Sequence, residues 1–212
     1  MRHIPGSETQ KISVLSFEEA MIPTDSSFDR EKWIYVPDFY SEYRYILGTR
    51  GKRPLICVGI NPSTAAPERL DNTLKSVERI ARFNGYDSFI MFNVYAQRAT
   101  SPEDMDRELN PALHSENMKA FAWTLEQSEG APAIWAAWGA IIEKRGYLPG
   151  CVREMAEIGR AAGAAWYTAG PRSRAGHPHH PLYLKKETPI EAFTDLEAYL
   201  DSLAGCEKRK RT

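Results

Sequence analysis

The chain has 212 residues, 42% of them hydrophobic and 26% charged, a balance that supports a packed core and excludes a disordered chain. The formal net charge of −1 excludes a uniformly basic nucleic-acid binder, so any nucleic-acid face has to be a local patch. No apolar run reaches the length of a membrane span, and residues 1–10 lack the apolar core of a secretory signal. Together these predict a cytoplasmic chain with no membrane partner. Cys57, Cys151 and Cys206 are odd in number and far apart, which argues against a disulfide framework, a CxxC metal pair or a four-cysteine cluster.

Residues 1–30 read as an N-terminal arm, 31–204 as a single α/β domain and 205–212 as a basic tail. Residues 32–36 and 42–47 alternate in polarity and are rich in aromatic and β-branched side chains. With a turn at 48–51, they predict an antiparallel edge element. Its aromatic residues Trp33, Tyr35, Phe39 and Tyr40 suit core packing. Four runs then read as buried strands: 55–60, 88–95, 133–138 and the Ala-rich 164–168. Between them, 73–83, 113–127 and 151–162 carry apolar residues at helical spacing. A final helix is predicted from Thr188 as cap, Pro189 in the first turn and Glu191 completing a capping box. It would turn Phe193, Leu196, Leu200 and Leu203 inward.

Strand–helix alternation with continuous apolar strands predicts a three-layer α/β sandwich around a mostly parallel sheet. Ligands in such sheets bind beyond the carboxyl ends of the strands. The first strand is followed by Gly59-Ile60-Asn61-Pro62-Ser63-Thr64, either a turn that ends the strand or a ligand loop with free backbone N–H groups. The second carries Asn93, an amide whose burial is costly unless it is matched, either to a neighbouring loop or to the edge of a base. Arg98 follows and suits a phosphate or a surface ion pair. Trp138-Gly139 ends the third strand. After the fourth come His177, His179 and His180, then Pro181, Leu182 and Tyr183. No other His or Cys spacing completes a zinc set, so the loop predicts one histidine presented to a ligand, or a plain surface loop, with no metal and no cofactor. Asp71 suits a cap for the helix near residue 73; with Asn72 it is the remaining polar pair near these loops.

These stretches, with Tyr43-Arg44-Tyr45-Ile46-Leu47, Val58 to Ala65, Asn93 to Thr100, Trp138-Gly139 and His180 to Leu184, resemble the bacterial and phage family of unknown function 1643. More distantly, their order is similar to that of the uracil-DNA glycosylase superfamily. Mismatch-type members of that superfamily carry Gly-Ile-Asn-Pro after the first strand, matched by Gly59-Ile60-Asn61-Pro62. An Asn on the next strand recognises the base, matched by Asn93. A Trp-Gly strand end and a His-Pro loop are matched by Trp138-Gly139 and His180-Pro181. This chain departs in having Ser63 after Asn-Pro and Leu182 after His-Pro. It also lacks a second acid at the first motif.

The resemblance implies an uracil-DNA glycosylase-like fold and hydrolysis of an N-glycosidic bond of a base in DNA or of a nucleotide. Asn61 would orient water and His180 would donate to the base. Asn93 would read the base edge, and Phe92 or Tyr95 would stack on it. Leu182 or Tyr183 would fill the gap left by a flipped base. The residues leave two other readings open, a non-catalytic module binding nucleotide or single-stranded nucleic acid, and a different nucleotide-modifying enzyme on the same scaffold. Oligomeric state is left open.

Overall fold

The computed structural model describes residues 2–210, with side chains as far as Leu203. The predicted basic tail at 205–212 thus lies outside the described side chains. In chain order the elements are α1 (Phe17–Ala20), β1 (Trp33–Val36), β2 (Ile46–Thr49), β3 (Pro54–Gly59), α2 (Asn72–Phe83), β4 (Ser88–Asn93), α3 (Pro111–Leu125), β5 (Ala133–Ala136), α4 (Leu148–Ala161), β6 (Ala165–Ala169), β7 (Ile190–Ala192) and α5 (Leu196–Lys210). The strands form one seven-stranded sheet in the order β1-β2-β4-β3-β5-β6-β7. The central four, β4-β3-β5-β6, are mutually parallel. β1 and β2 run antiparallel on one side and β7 runs antiparallel on the other.

Helices cover both faces. Strand alternation sends Leu55, Cys57, Phe89 and Met91 toward α2, where they meet Leu74, Val77 and Ile80. Each such buried aliphatic side chain contributes about 1.5–3 kcal/mol. Ile56, Val58, Ile90 and Phe92 point the opposite way, into a larger core with residues of α3, α4 and α5. Helix starts follow local chemistry. The Asp71 carboxylate accepts from Leu74 N–H at 2.9 Å to cap α2, and Asn110 caps α3 ahead of Pro111.

The edge element forms as predicted, with Trp33 and Tyr35 buried, while Phe39 and Tyr40 are exposed. Several element ends shift by a few residues, and two assignments differ outright from the sequence pattern. Gly48 is not in a turn but within β2, facing Ile34 on one side and Ile90 on the other. Residues 188–191 do not open a helix: 190–192 add to the open edge of β6, with Thr168 opposite Glu191. The free backbone edge of β6 outweighs the local capping signal, and α5 begins only at Leu196. Phe193, Leu196, Leu200 and Leu203 are nevertheless all buried.

Glycine at 48 is a steric requirement. A Cβ there would press on the Phe89 carbonyl oxygen and lie 2.8 Å from Ile90 Cα. Gly48→Ala is expected to lose about 1–3 kcal/mol of stability in urea unfolding. Gly150→Ala, in the open flank of α4 with nothing within 4 Å, should gain about 0.5–1 kcal/mol. Equal unfolding midpoints for the two variants would refute this packing account.

Candidate functional site

The sheet continues as paired loops beyond its strands. Val94 N–H donates to Gly59 O at 2.8 Å, Tyr95 N–H to Ile60 O at 2.9 Å, and Ala99 N–H to Pro62 O at 2.9 Å. The segments after β3 and β4 are thus zipped together. The N-terminus of α2 closes one side. The histidine loop closes another and is fastened to α2 by Ser76 Oγ, which donates to Pro181 O at 2.8 Å. Gly139, at φ +62°, lets that loop approach: its missing Cβ would lie 3.7 Å from His180 Cβ. The cleft between these elements, open to solvent and about 410 Å³ in volume, is within the usual range of small-molecule sites.

Asn93 forms the cavity floor. It is 0% exposed, yet neither its Nδ2 nor its Oδ1 has a hydrogen-bond partner. An unmatched buried amide costs about 1–3 kcal/mol per group, so a water or a ligand in the cavity that pairs with this one gains that free energy back. Neighbouring Gly59 gives access to it, because a Cβ there would lie 2.5 Å from Met91 Cε and 3.3 Å from Asn93 Oδ1. Asn117 fixes the strand end by donating to the Asn93 carbonyl at 3.0 Å.

Asn61 is oriented without ambiguity. Both its partners are carbonyl oxygens, Ala99 O at 2.7 Å and Pro62 O at 3.1 Å. Nδ2 must therefore face them, which leaves Oδ1 as the available acceptor. His180 is oriented the same way: its Nδ1 accepts from Leu182 N–H at 3.3 Å. Nδ1 is then unprotonated, and the neutral ring carries its hydrogen on Nε2. Burial pushes this imidazole below its ordinary value; the Asp71 carboxylate opposes the shift and His179 adds to it. Asp71 also lines the cavity, so the cavity does contain a carboxylate, supplied by the cap of α2 and not by the first motif.

The structure brings Gly59, Ile60, Asn61, Pro62, Ser63, Asn93, His180 and Leu182 together on the cavity wall. Other candidates lie elsewhere. Phe92 points to the opposite face, 5.1 Å from the Phe121 ring. The Tyr95 hydroxyl accepts from Asn110 N–H at 3.1 Å and donates to Asp106. Arg98 is buried, donating to Ser63 O and, at 2.7 Å, to the Tyr35 hydroxyl. Thr64 and the buried Pro181 do not line the cavity, and Tyr183 is 76% exposed outside it. The three histidines make different hydrogen bonds: His177 meets Tyr199 and Glu143, His179 meets the Pro171 carbonyl and His180 meets Leu182 N–H. No metal-holding cluster occurs among the described residues. Arg44, Met91, Thr100 and Ile141 line the cavity without having been singled out as site residues. For Arg44 the signal was a cation between two aromatics at the entrance to an apolar strand.

Fold and site thus define an α/β protein with a polar cavity at the carboxyl ends of its parallel strands. Residues 44–182 match the family described as "Protein of unknown function (DUF1643)", over more than half of the chain, and the chain belongs to that family. Every cavity-lining residue lies inside the matched stretch. No curated protein and no solved structure matches the chain significantly.

Two outcomes follow from this geometry. Asn93→Leu removes two unmatched polar atoms and should leave stability unchanged or raised by about 1 kcal/mol, whereas Asn117→Leu, which breaks two bonds to backbone carbonyls, should lose about 1–3 kcal/mol. Calorimetric melting of both variants tests the contrast, and a large loss at Asn93 would refute it. The second concerns pH. The folded value of His180 lies below its unfolded value near 6.5. Its contribution to stability is therefore complete above that value and is lost as pH falls through the folded one. In an NMR titration the imidazole should have its midpoint below 6.5, lower still in Asp71→Asn and higher in His179→Gln. A wild-type midpoint at or above 6.5 would contradict this environment.

Proposed function

We propose that the protein is an uracil-DNA glycosylase-like hydrolase that cleaves the N-glycosidic bond between a nucleobase and its sugar. The observation that carries this reading is the unpartnered Asn93 amide at the cavity floor. A fixed donor and a fixed acceptor side by side complement a base edge bearing an acceptor and a donor. The Gly-Ile-Asn-Pro, Asn and His-Pro segments also meet around this one cavity, in the order of the superfamily resemblance. Apolar contact with the base comes from Ile60, Leu74, Met91 and Leu182, since among the described residues no Phe, Tyr or Trp ring lines the wall.

Cleavage of this bond leaves positive charge on the sugar and negative charge on the departing base. The water oxygen bonds to the anomeric carbon, and the C–N electron pair leaves with the base. Asn61 Oδ1 orients the water by accepting one of its hydrogens. An amide cannot take the proton itself, so the Asp71 carboxylate receives it. His180 Nε2–H donates to the base oxygen on which charge develops, in the manner of an oxyanion donor, and the base then takes a proton from solvent. A neutral His180 suits this role because it donates a hydrogen bond while remaining the same species throughout.

The test is release of free base from single-stranded and duplex oligonucleotides, and from nucleotides, containing uracil, hypoxanthine or mismatched thymine. His180→Ala and Asn61→Ala should each lower kcat/KM by about 10²–10³-fold, with Tyr183→Ala near wild type. Base release that survives both site substitutions would sink the mechanism. Tight binding without release would make the chain a nucleotide-binding module.

A further inference from the structure

Arg44 is only 1% exposed, and it lines the cavity. Among the described residues its one hydrogen bond runs from Nη1 to Ala65 O at 3.2 Å, and Nε is buried with no partner. Among the described residues no carboxylate lies within ion-pair distance of it. Arg98 is equally buried beside it and donates to the same Ala65 carbonyl. Arg98 is otherwise engaged, by Tyr35, by the Ser63 carbonyl and by the Tyr40 ring 4.4 Å away. Burial and the Arg98 charge bring Arg44 down to about 9, and Asp71 acts against that. Glu42 acts on Arg98, but it is bonded to His3 at 3.2 Å and does not line the cavity.

The cavity is therefore lined by one buried cation, Arg44, with a second, Arg98, packed beside it, and an unpaired buried charge is expensive unless a counter-charge arrives. Other donors converge on the same space. Ser63 and Thr100 hydroxyls meet at 3.1 Å on the wall. Asn72 and Thr73 open the first turn of the 12-residue α2 into it, and such a turn favours anions.

We infer that Arg44 holds the terminal phosphate of a free nucleoside monophosphate whose base reaches Asn93. This rests on the proposed function for the base end only; the phosphate end stands on Arg44. A mononucleotide fits better than a strand, because the cation is buried within a cavity and the chain has a net charge of −1, with no general attraction for a polyanion.

The probes are the common nucleoside 5′-monophosphates, their nucleosides, inorganic phosphate and an oligonucleotide of the same bases, titrated into the full chain by calorimetry. At least one monophosphate should bind roughly 10–100-fold more tightly than its nucleoside, and Arg44→Met should erase that difference. Arg44→Met removes a charge without an ion-pair partner and should keep a wild-type melting temperature or exceed it; Arg44→Lys, which keeps the charge, should retain part of the effect. Inorganic phosphate should raise the melting temperature of wild type and of Asn93→Leu but not of Arg44→Met. Phosphate binding that persists while no base is ever released would overturn the glycosidic reading and leave this one standing. Equal affinity for nucleoside and monophosphate, no saturable binding of any monophosphate, or an oligonucleotide that binds more tightly than every mononucleotide would each overturn the phosphate assignment.

Discussion

The cavity depends on the parallel pairing of β3 with β4 and on its continuation past the strand ends. Pairing runs from Pro54 opposite Ser88 to Gly59 opposite Asn93. It is then carried on by the Val94, Tyr95 and Ala99 N–H groups along the outgoing loop. Loops that leave a parallel sheet normally diverge toward their crossover helices. Here they stay zipped for several residues, so side chains that follow two different strands are held at one fixed spacing. Asn61 lies between them and completes the seam through the Ala99 carbonyl. A rigid seam is what allows an amide such as Asn93 to remain unmatched. A mobile loop would simply fold over and satisfy it.

Charge is distributed in the cavity in a consistent way. The groups at the Asn93 end are neutral donors and acceptors: two amides and an imidazole that burial keeps unprotonated. The charged groups, Arg44 and Asp71, come from the segment that enters β2 and from a helix cap. Neutral groups in a fixed geometry discriminate a ligand by matching its donor and acceptor pattern, because a mismatch strands a buried polar atom. Charged groups supply attraction with less regard to pattern. Selection thus rests on the neutral groups and attraction for an anion on Arg44, while Asp71, which acts on both Arg44 and His180, belongs to neither group alone.

Much of this was legible in the sequence. Apolar runs located the four central strands, and the segments after them did converge, bringing Asn61, Asn93 and His180 to one cavity. What escaped has physical reasons. Phe92 and Asn93 are adjacent, and a strand sends adjacent side chains to opposite faces, so the ring expected to stack beside the amide lies in the other core. Tyr95 and Arg98 were legible as polar or aromatic residues on the right loop, but the pairing of Tyr95 depends on how the following loop folds back to bring Asp106 to it, and Arg98's partner Tyr35 comes from a distant part of the chain. β7 was hidden because Thr188, Pro189 and Glu191 imitate a helix start, while the free edge of β6 that recruits the strand is not a local property. Asp71 was readable as a cap, but that the cap also faces the ligand space depends on how α2 docks.

The two faces of the sheet carry different burdens. The face covered by α1, α3, α4 and α5 holds the larger core, including Phe121, Trp138, Val152 and Leu200. The face covered by α2 holds the smaller one, interrupted at its upper end by Gly59, Asn93 and the buried arginines. Unmatched polar atoms and an unpaired guanidinium are destabilising wherever they stand. They are tolerated here because most of the apolar burial lies on the other side of the same strands. Alternation along β3 and β4 makes this separation possible within single residues: Val58 and Phe92 pack the large core while their neighbours Gly59 and Asn93 face the cavity. A sheet with one covered face could not make that division, which ties the three-layer arrangement directly to the polar site at its end.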